Sequence, residues 1–256
     1  MQFRRIVVGV DFTGASLAAA RWAGAHLAPD AEIVLVHVAH VPWLPSFARG
    51  HLAQPAEVTA AVGPALHGAL RGLAEFVDRY RARVELVAGN PAEALPLVAD
   101  ELGADAICVG RGSRRRGSAR FGATTTQRLL ARTQLPIVIV PPSPRARLAQ
   151  TIVGVDERSG GRYVLDAACR MAAGHEASVE AVHVIEPEVE AFLSRAGCPI
   201  RLAADRARAW IDALVGEVGA SAARVASLVT GGDPGSAIIR RAHQSAADPR
   251  RRRPWG

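Results

Sequence analysis

The sequence contains an internal repeat, and no other feature limits the choice of fold so strongly. Residues 6–11, IVVGVD, recur as IVGVD at 152–156, and the triplet VHV at 36–38 recurs at 182–184. Gly89-Asn90-Pro91 recurs as Gly232-Asp233-Pro234. The three landmarks keep their order, and each lies 143 to 146 residues from its counterpart. The chain is therefore predicted to be a tandem duplication.

In the first copy, short apolar runs alternate with segments of helical periodicity. Continuous apolar runs are typical of strands that are buried on both faces, as in a parallel sheet. The alternation predicts an α/β fold with a doubly wound parallel sheet and helices on both of its faces. The predicted strands are 5–10, 33–38, 84–88, 106–109 and 137–140, and the predicted helices are 16–27, 66–81, 91–101 and 124–132.

The second copy begins in the same way, but its pattern stops at about residue 247. Strands are predicted at 152–155, 178–185 and 224–228, and helices at 163–173, 203–218 and 234–246. We therefore expect an incomplete three-stranded sheet with 152–155 at its edge. The predicted organisation is a first domain at 1–142, a proline-rich linker at 143–150, a truncated second domain at 151–247 and a disordered basic tail at 248–256.

Composition excludes several classes of protein. Hydrophobic residues make up 49% of the 256 residues, yet no apolar run approaches the roughly 18 residues that a membrane span needs. The apolar stretch at the N-terminus contains Asp11, which argues against a secretory signal, and the three cysteines form no CxxC pair. Both features favour a cytoplasmic protein. The arginine clusters at 111–120 and 250–253 lack a groove-reading motif, so we predict solvated arginines rather than a nucleic-acid site.

The residues that follow the first and fourth predicted strands favour an adenine-nucleotide pocket. Ligands of doubly wound sheets bind at the carboxyl ends of strands where the winding direction reverses. Asp11 follows the first strand, where its carboxylate can accept hydrogen bonds from ribose hydroxyls. Gly110 follows the fourth strand and opens a glycine- and arginine-rich loop that leads to the threonines 124–126 at a helix start, where phosphate is favoured.

These motifs resemble those of the universal stress proteins, specifically the members with two tandem domains. The resemblance rests on IVVGVD at 6–11, VHV at 36–38, GADAICVG at 103–110 and TTTQRLLARTQLPIVIV at 124–140. It covers the first copy and the second to about Asp248. It implies a five-stranded parallel sheet in the order 3-2-1-4-5, with the first and fourth strands side by side. It also implies a dimer, often formed through the last strand, here 137–140.

The resemblance also implies a set of binding residues for ATP or another adenine nucleotide, with no metal other than Mg²⁺ accompanying the nucleotide. Asp11 would bind the ribose, and Val38 the adenine edge through its backbone. Gly9 and Val109 would line the floor of the pocket. Gly110, Ser113, Ala123, Thr124 and Thr125 would bind the phosphates and ribose. In the second copy Asp156 and Val184 match Asp11 and Val38, but the phosphate loop is missing, so no ligand site is predicted there.

The phosphate loop departs from the family pattern and leaves two functions open. Nucleotide-binding members carry Gly-x-x-Gly, nine residues, and then Gly-Ser or Gly-Thr, whereas Ser113 and Ala123 replace two of these glycines here. The chain is either a nucleotide-binding stress-response module or a ligand-free module for dimerisation and protein interaction. An enzyme is disfavoured because no Walker or GxSxG motif is present, although weak ATP hydrolysis stays open.

Three other residue types receive simpler interpretations. His37 recurs as His183, which favours a shared packing role over metal binding. Cys108 lies within an apolar strand and is predicted to be a small buried hydrophobic residue. Trp43 follows the second strand and is predicted to cover the crevice.

Overall fold

The computed structural model describes residues 3–27, 31–39, 76–77, 79–80, 82–111, 125–144, 148–157, 160–173, 175–218 and 224–247. The chain divides into two compact units, of which one is Phe3–Ala146 and the other is formed mainly by Arg147–Gly256. Most of the predicted helix 66–81, the tail 248–256 and Trp43 lie outside the described residues.

The first unit is built on a parallel sheet of five strands in the order β3-β2-β1-β4-β5. This order confirms the predicted fold class. The strands are β1 (Arg5–Gly9), β2 (Glu32–Ala39), β3 (Arg83–Ala88), β4 (Ala106–Gly110) and β5 (Ile137–Val140). The helices are α1 (Gly14–His26), α2 (Pro91–Glu101) and α3 (Thr125–Leu130).

Neighbouring residues of one strand face the two sides of the sheet, and helices cover both sides. On β4, Ile107 packs in the hydrophobic core with Leu95 of α2 and Leu129 of α3. The next residue, Cys108, points the other way, and its sulfur lies 4.0 Å from the carbonyl oxygen of Ala19 in α1. Cys108 is fully buried, as predicted, and burial raises the pKa of its thiol to about 12. The strands therefore read as apolar runs because neither face meets water.

The second unit has a three-stranded parallel sheet in the order β6-β7-β8, which confirms the second part of the predicted fold class. Its strands are β6 (Gln150–Gly154), β7 (Ser178–Ile185) and β8 (Val225–Gly231). Its helices are α4 (Gly161–Ala173), α5 (Pro187–Arg195), α6 (Ile200–Val218) and α7 (Pro234–Ala247). Among the described strands, β6 pairs only with β7 and lies at an edge, as expected.

Helix α5 and the first turn of α6 were not predicted from the sequence. Neither segment buries a side chain, so neither has the apolar periodicity by which the other helices were found. Strand β6 begins at Gln150, inside the predicted linker, and β8 continues to Gly231 beyond the predicted end at 228.

An ion pair in the second unit occupies positions where the first unit has two core valines. Glu180 on β7 occupies the position of Val34, and Arg241 on α7 occupies that of Val98, both of which belong to the hydrophobic core of the first unit. The guanidinium of Arg241 donates two hydrogen bonds to Glu180, of 2.7 and 2.6 Å. Glu180 is buried, and its bond to Arg241 is the main cause of a raised pKa of the arginine. The two copies therefore share a fold but differ in core chemistry.

Candidate functional site

The sequence predicts a crevice at the carboxyl end of β1, which has β2 on one side and β4 on the other. Gly9 at the end of β1 is in register with Val36 of β2 and with Val109 of β4. Two residues beyond Gly9 stands Asp11, and Gly110 directly follows Val109. The register therefore brings Gly9, Asp11, Val109 and Gly110 to the same edge of the sheet. In the order β3-β2-β1-β4-β5, the winding direction reverses between β1 and β4. Doubly wound proteins bind their ligands at such a reversal.

The carboxylate of Asp11 is held in place by the first turn of α1. Its Oδ1 accepts a hydrogen bond of 3.0 Å from the backbone amide of Thr13 and one of 2.6 Å from the Thr13 hydroxyl. The amide of Asp11 donates to the hydroxyl of Ser16 at 3.2 Å, and the amide of Ser16 donates to the Thr13 hydroxyl, which caps the helix. Partial burial raises the pKa of Asp11, but the hydrogen bonds from Thr13 and Ser16 outweigh it and lower the pKa. Asp11 is therefore an ionised, oriented acceptor at neutral pH.

A histidine supports the turn that carries Asp11. The Nδ1 atom of His37 lies at hydrogen-bond distance, 2.7 Å, from the carbonyl oxygen of Val10. Its ring lies 4.6 Å from that of Phe12, whose φ of 61° is unusual for a residue with a side chain. In the second unit, Nδ1 of His183 lies 3.1 Å from the carbonyl oxygen of Val155. The two histidines thus share a structural role, a hydrogen bond to the turn as well as the predicted packing.

Gly9 and Gly110 both lie close to neighbouring elements of the protein, and the contact is tightest at Gly110. A Cβ atom on Gly110 would lie 2.5 Å from the backbone carbonyl of Ala15, so α1 could not lie as close to β4. A Cβ atom on Gly9 would lie 3.0 Å from the side chain of Leu95 and 3.3 Å from that of Val109. Sequence reasoning assigned these glycines to a ligand and missed their part in helix packing.

The remaining predicted site residues divide into two groups. Val38 is the penultimate residue of β2 and is buried, with its backbone at the same edge of the sheet as Asp11. Thr125 is the first residue of α3 and is exposed. Ser113, Ala123 and Thr124 lie outside the described residues. No group of three His, Cys, Asp or Glu side chains within the described ranges is arranged to hold a metal ion. In the same ranges, no helix has the length and apolarity needed to cross a bilayer.

Comparison with known proteins identifies the family. The family model described as the universal stress protein family matches residues 2–141, more than half of the chain. The chain belongs to the universal stress protein family. No curated protein matches its sequence.

Two solved structures, from Archaeoglobus fulgidus and Pseudomonas aeruginosa, share the fold of the chain. A universal stress protein from Archaeoglobus fulgidus is 13% identical, covers 95% of this chain and 84% of its own, and has a TM-score of 0.64. A putative universal stress protein from Pseudomonas aeruginosa is 14% identical over 94% of this chain and 79% of its own, with a TM-score of 0.55. A universal stress protein in complex with cAMP is 21% identical over 56% of this chain and 100% of its own, with a TM-score of 0.42.

The described residues of the second unit reproduce only part of the arrangement seen at the end of β1. Asp156 follows β6, as Asp11 follows β1 in the first unit. Val184 lies on β7, as Val38 lies on β2. The described part of this unit has no strand on the free side of β6, where β4 lies in the first unit. The edge of two adjoining strands that brings Asp11 and Gly110 together in the first unit thus has no described equivalent here.

Proposed function

We propose that the first unit binds an adenine nucleotide and that the chain acts as a cytoplasmic, non-enzymatic stress-response module. The observation that carries this proposal is the ionised carboxylate of Asp11, fixed at the strand crossover beside Gly110. A carboxylate accepts hydrogen bonds from two neighbouring hydroxyls, which is the pattern that a ribose offers. Membership of the family supports the proposal and makes ATP the first ligand to test.

The other predicted contacts complete the proposed site. The backbone of Val38, at the end of β2, would meet the edge of the adenine ring. The phosphates would lie along the loop after β4, against Gly110, Ser113, Ala123, Thr124 and Thr125. Mg²⁺ would enter with the nucleotide, bound by its phosphates. Gly9 and Val109 would form the floor, which is closely packed because a Cβ atom on Gly9 would already meet the side chains of Leu95 and Val109.

A second candidate function is a ligand-free interaction module. The observation in its favour is that the Oδ1 of Asp11 already accepts two hydrogen bonds from Thr13. Gly110 is likewise explained by the approach of Ala15 to β4. Each of these features has a structural reason without any nucleotide, and this candidate predicts a stable oligomer and no response to ATP.

Calorimetric titration of the full chain with Mg-ATP, AMP and cAMP separates the two functions. Asp11→Asn keeps an acceptor for Thr13 but removes the charge, so the dissociation constant is expected to rise about 10- to 100-fold, as a lost charge-assisted hydrogen bond implies. Asp156→Asn is the matched control at the equivalent position and should leave binding unchanged. Absence of heat at millimolar nucleotide, or equal weakening by both variants, would refute the proposed site. Mass spectrometry of small molecules released from the purified protein provides an independent check.

A further inference from the structure

Helix α5 of the second unit presents a face that has no partner within the described residues. None of its nine residues is buried, and Val189 and Phe192 are 44% and 64% exposed. The next helix begins with two more exposed apolar residues, Ile200 and Leu202. An isolated helix of nine residues is only marginally stable in water, so a helix of this length usually depends on packing against another surface.

The charges on α5 make this face complementary to itself. Glu188, Phe192 and Arg195 follow one another at intervals of four and three residues and therefore lie on one side of the helix. Glu188 and Arg195 stand at equal distances along the sequence from the midpoint between Ala191 and Phe192. When two such helices pack antiparallel about a two-fold axis at this midpoint, each acidic end meets the basic end of the other helix.

We propose that α5 is a homodimer interface, in which it packs antiparallel against the same helix of a second copy of this chain. The phenyl ring of Phe192 lies near the two-fold axis and contacts Phe192 of the partner subunit. Glu188 pairs with Arg195 of the partner subunit, and the same pair recurs on the other side of the axis. This arrangement is isologous, because the same surface serves both copies and closes the assembly at two.

The charges on α5 also argue against an anionic membrane as the partner of this face. Glu186, Glu188 and Glu190 surround the apolar positions of the first turn, so an anionic membrane would repel this face. A single pair of short helices buries less than the roughly 1,600 Å² of a standard interface. The dimer is therefore expected to be weak, with a dissociation constant of about micromolar order.

Sedimentation velocity of the full chain across a range of concentrations tests this interface. Glu188→Arg and Arg195→Glu each bring like charges together and should raise the dissociation constant about tenfold, whereas the double variant should restore dimerisation. Phe192→Ser should give monomers. Leu97→Ser is the matched control, since Leu97 is also an exposed apolar residue on a helix, at 52%, but lies on α2 of the first unit. Circular dichroism verifies that each variant is folded.

Several results would overturn the proposal. A wild-type chain that is monomeric at every concentration excludes the interface. Single charge reversals without effect, or a double variant that stays monomeric, exclude the antiparallel pairing. Ile139→Arg tests the strand contact that the family resemblance implies at β5. If this variant alone dissociates the dimer, the contact lies at β5 and not at α5.

Discussion

Breaking the buried ion pair between Glu180 and Arg241 should destabilise the second unit selectively. In Arg241→Met, the aliphatic part of the side chain is kept, but the carboxylate of Glu180 loses both of its hydrogen bonds from the guanidinium. The side chain of Glu180 is only 8% exposed, so water cannot replace the lost partner without opening the contact between α7 and β7. Burial of an unpaired charge is among the costliest changes in a protein core.

The magnitude follows from the burial of the two partners. Removal of one member of a fully buried pair costs about 3–5 kcal/mol. The side chain of Arg241 is 28% exposed, which means that solvent already weakens the pair, and we expect a loss of about 2–3 kcal/mol. The double variant Glu180→Val, Arg241→Val places valine at both positions, as Val34 and Val98 do in the hydrophobic core of the first unit. It should be as stable as the wild type or more so, because no charge remains to be desolvated.

Hydrogen exchange measured by mass spectrometry resolves the two units in one experiment. Peptides from β7 report on the second unit, and peptides from β2 serve as an internal reference in the first. For Arg241→Met, a loss of about 2–3 kcal/mol speeds exchange in β7 about 30- to 150-fold and leaves β2 unchanged. Arg240→Met is the matched control, since Arg240 is the exposed neighbour on the same helix.

Two outcomes would refute this reasoning. Equal exchange in Arg241→Met and Arg240→Met would mean that the pair carries no stability. A double valine variant that is less stable than Arg241→Met would mean that α7 needs the ion pair for its packing, whereas α2 packs in the first unit with valine at this position.

Three further predictions concern stability and reactivity. Gly110→Ala should destabilise the first unit by about 1–3 kcal/mol in urea denaturation because its Cβ would meet the backbone of α1, whereas Gly14→Ala, with open space around it, should cost less than this. Since the pKa of Asp11 is lowered in the folded state, its ionised form stabilises the fold above its usual pKa of 3.8. This contribution is lost as pH falls through the lowered pKa, so the stability difference between wild type and Asp11→Asn should shrink in acid, and a difference that persists unchanged would contradict the assignment. A thiol reagent should label Cys198 rapidly in the native protein and leave Cys108 unlabelled until unfolding; fast labelling of both would show that β4 is open to solvent.

The strands could be predicted from the sequence because a strand that is buried on both faces consists of consecutive apolar residues. The segments 137–140 and 178–185 are apolar enough that the predicted and observed bounds of β5 and β7 agree. Helix α2 could also be predicted from the sequence, because Asn90 caps the helix and Pro91 begins its first turn.

Features that depend on contacts between residues distant in the sequence could not be predicted from residue type. Glu180 and Arg241 are 61 residues apart, and neither residue type alone indicates a buried partner. The close approach of Ala15 to Gly110 likewise joins two separate elements. Helix α5 was missed because it buries nothing, although Pro187 at its start and acidic residues in its first turn are signals of a helix N-terminus that do not depend on burial.

The pairing order of the two sheets has a consequence for folding during synthesis. In the first unit, the central strand β1 pairs with β4, so Ile6 must await Ala106, which the ribosome adds one hundred residues later. In the second unit, each strand pairs with the next one along the chain, as in Gln150 with Ser178 and Val179 with Val225. Short sequence separation between paired residues speeds folding. The second unit should therefore complete its sheet soon after its last strand is synthesised. In the first unit, by contrast, one side of β1 stays unpaired until β4 has been synthesised.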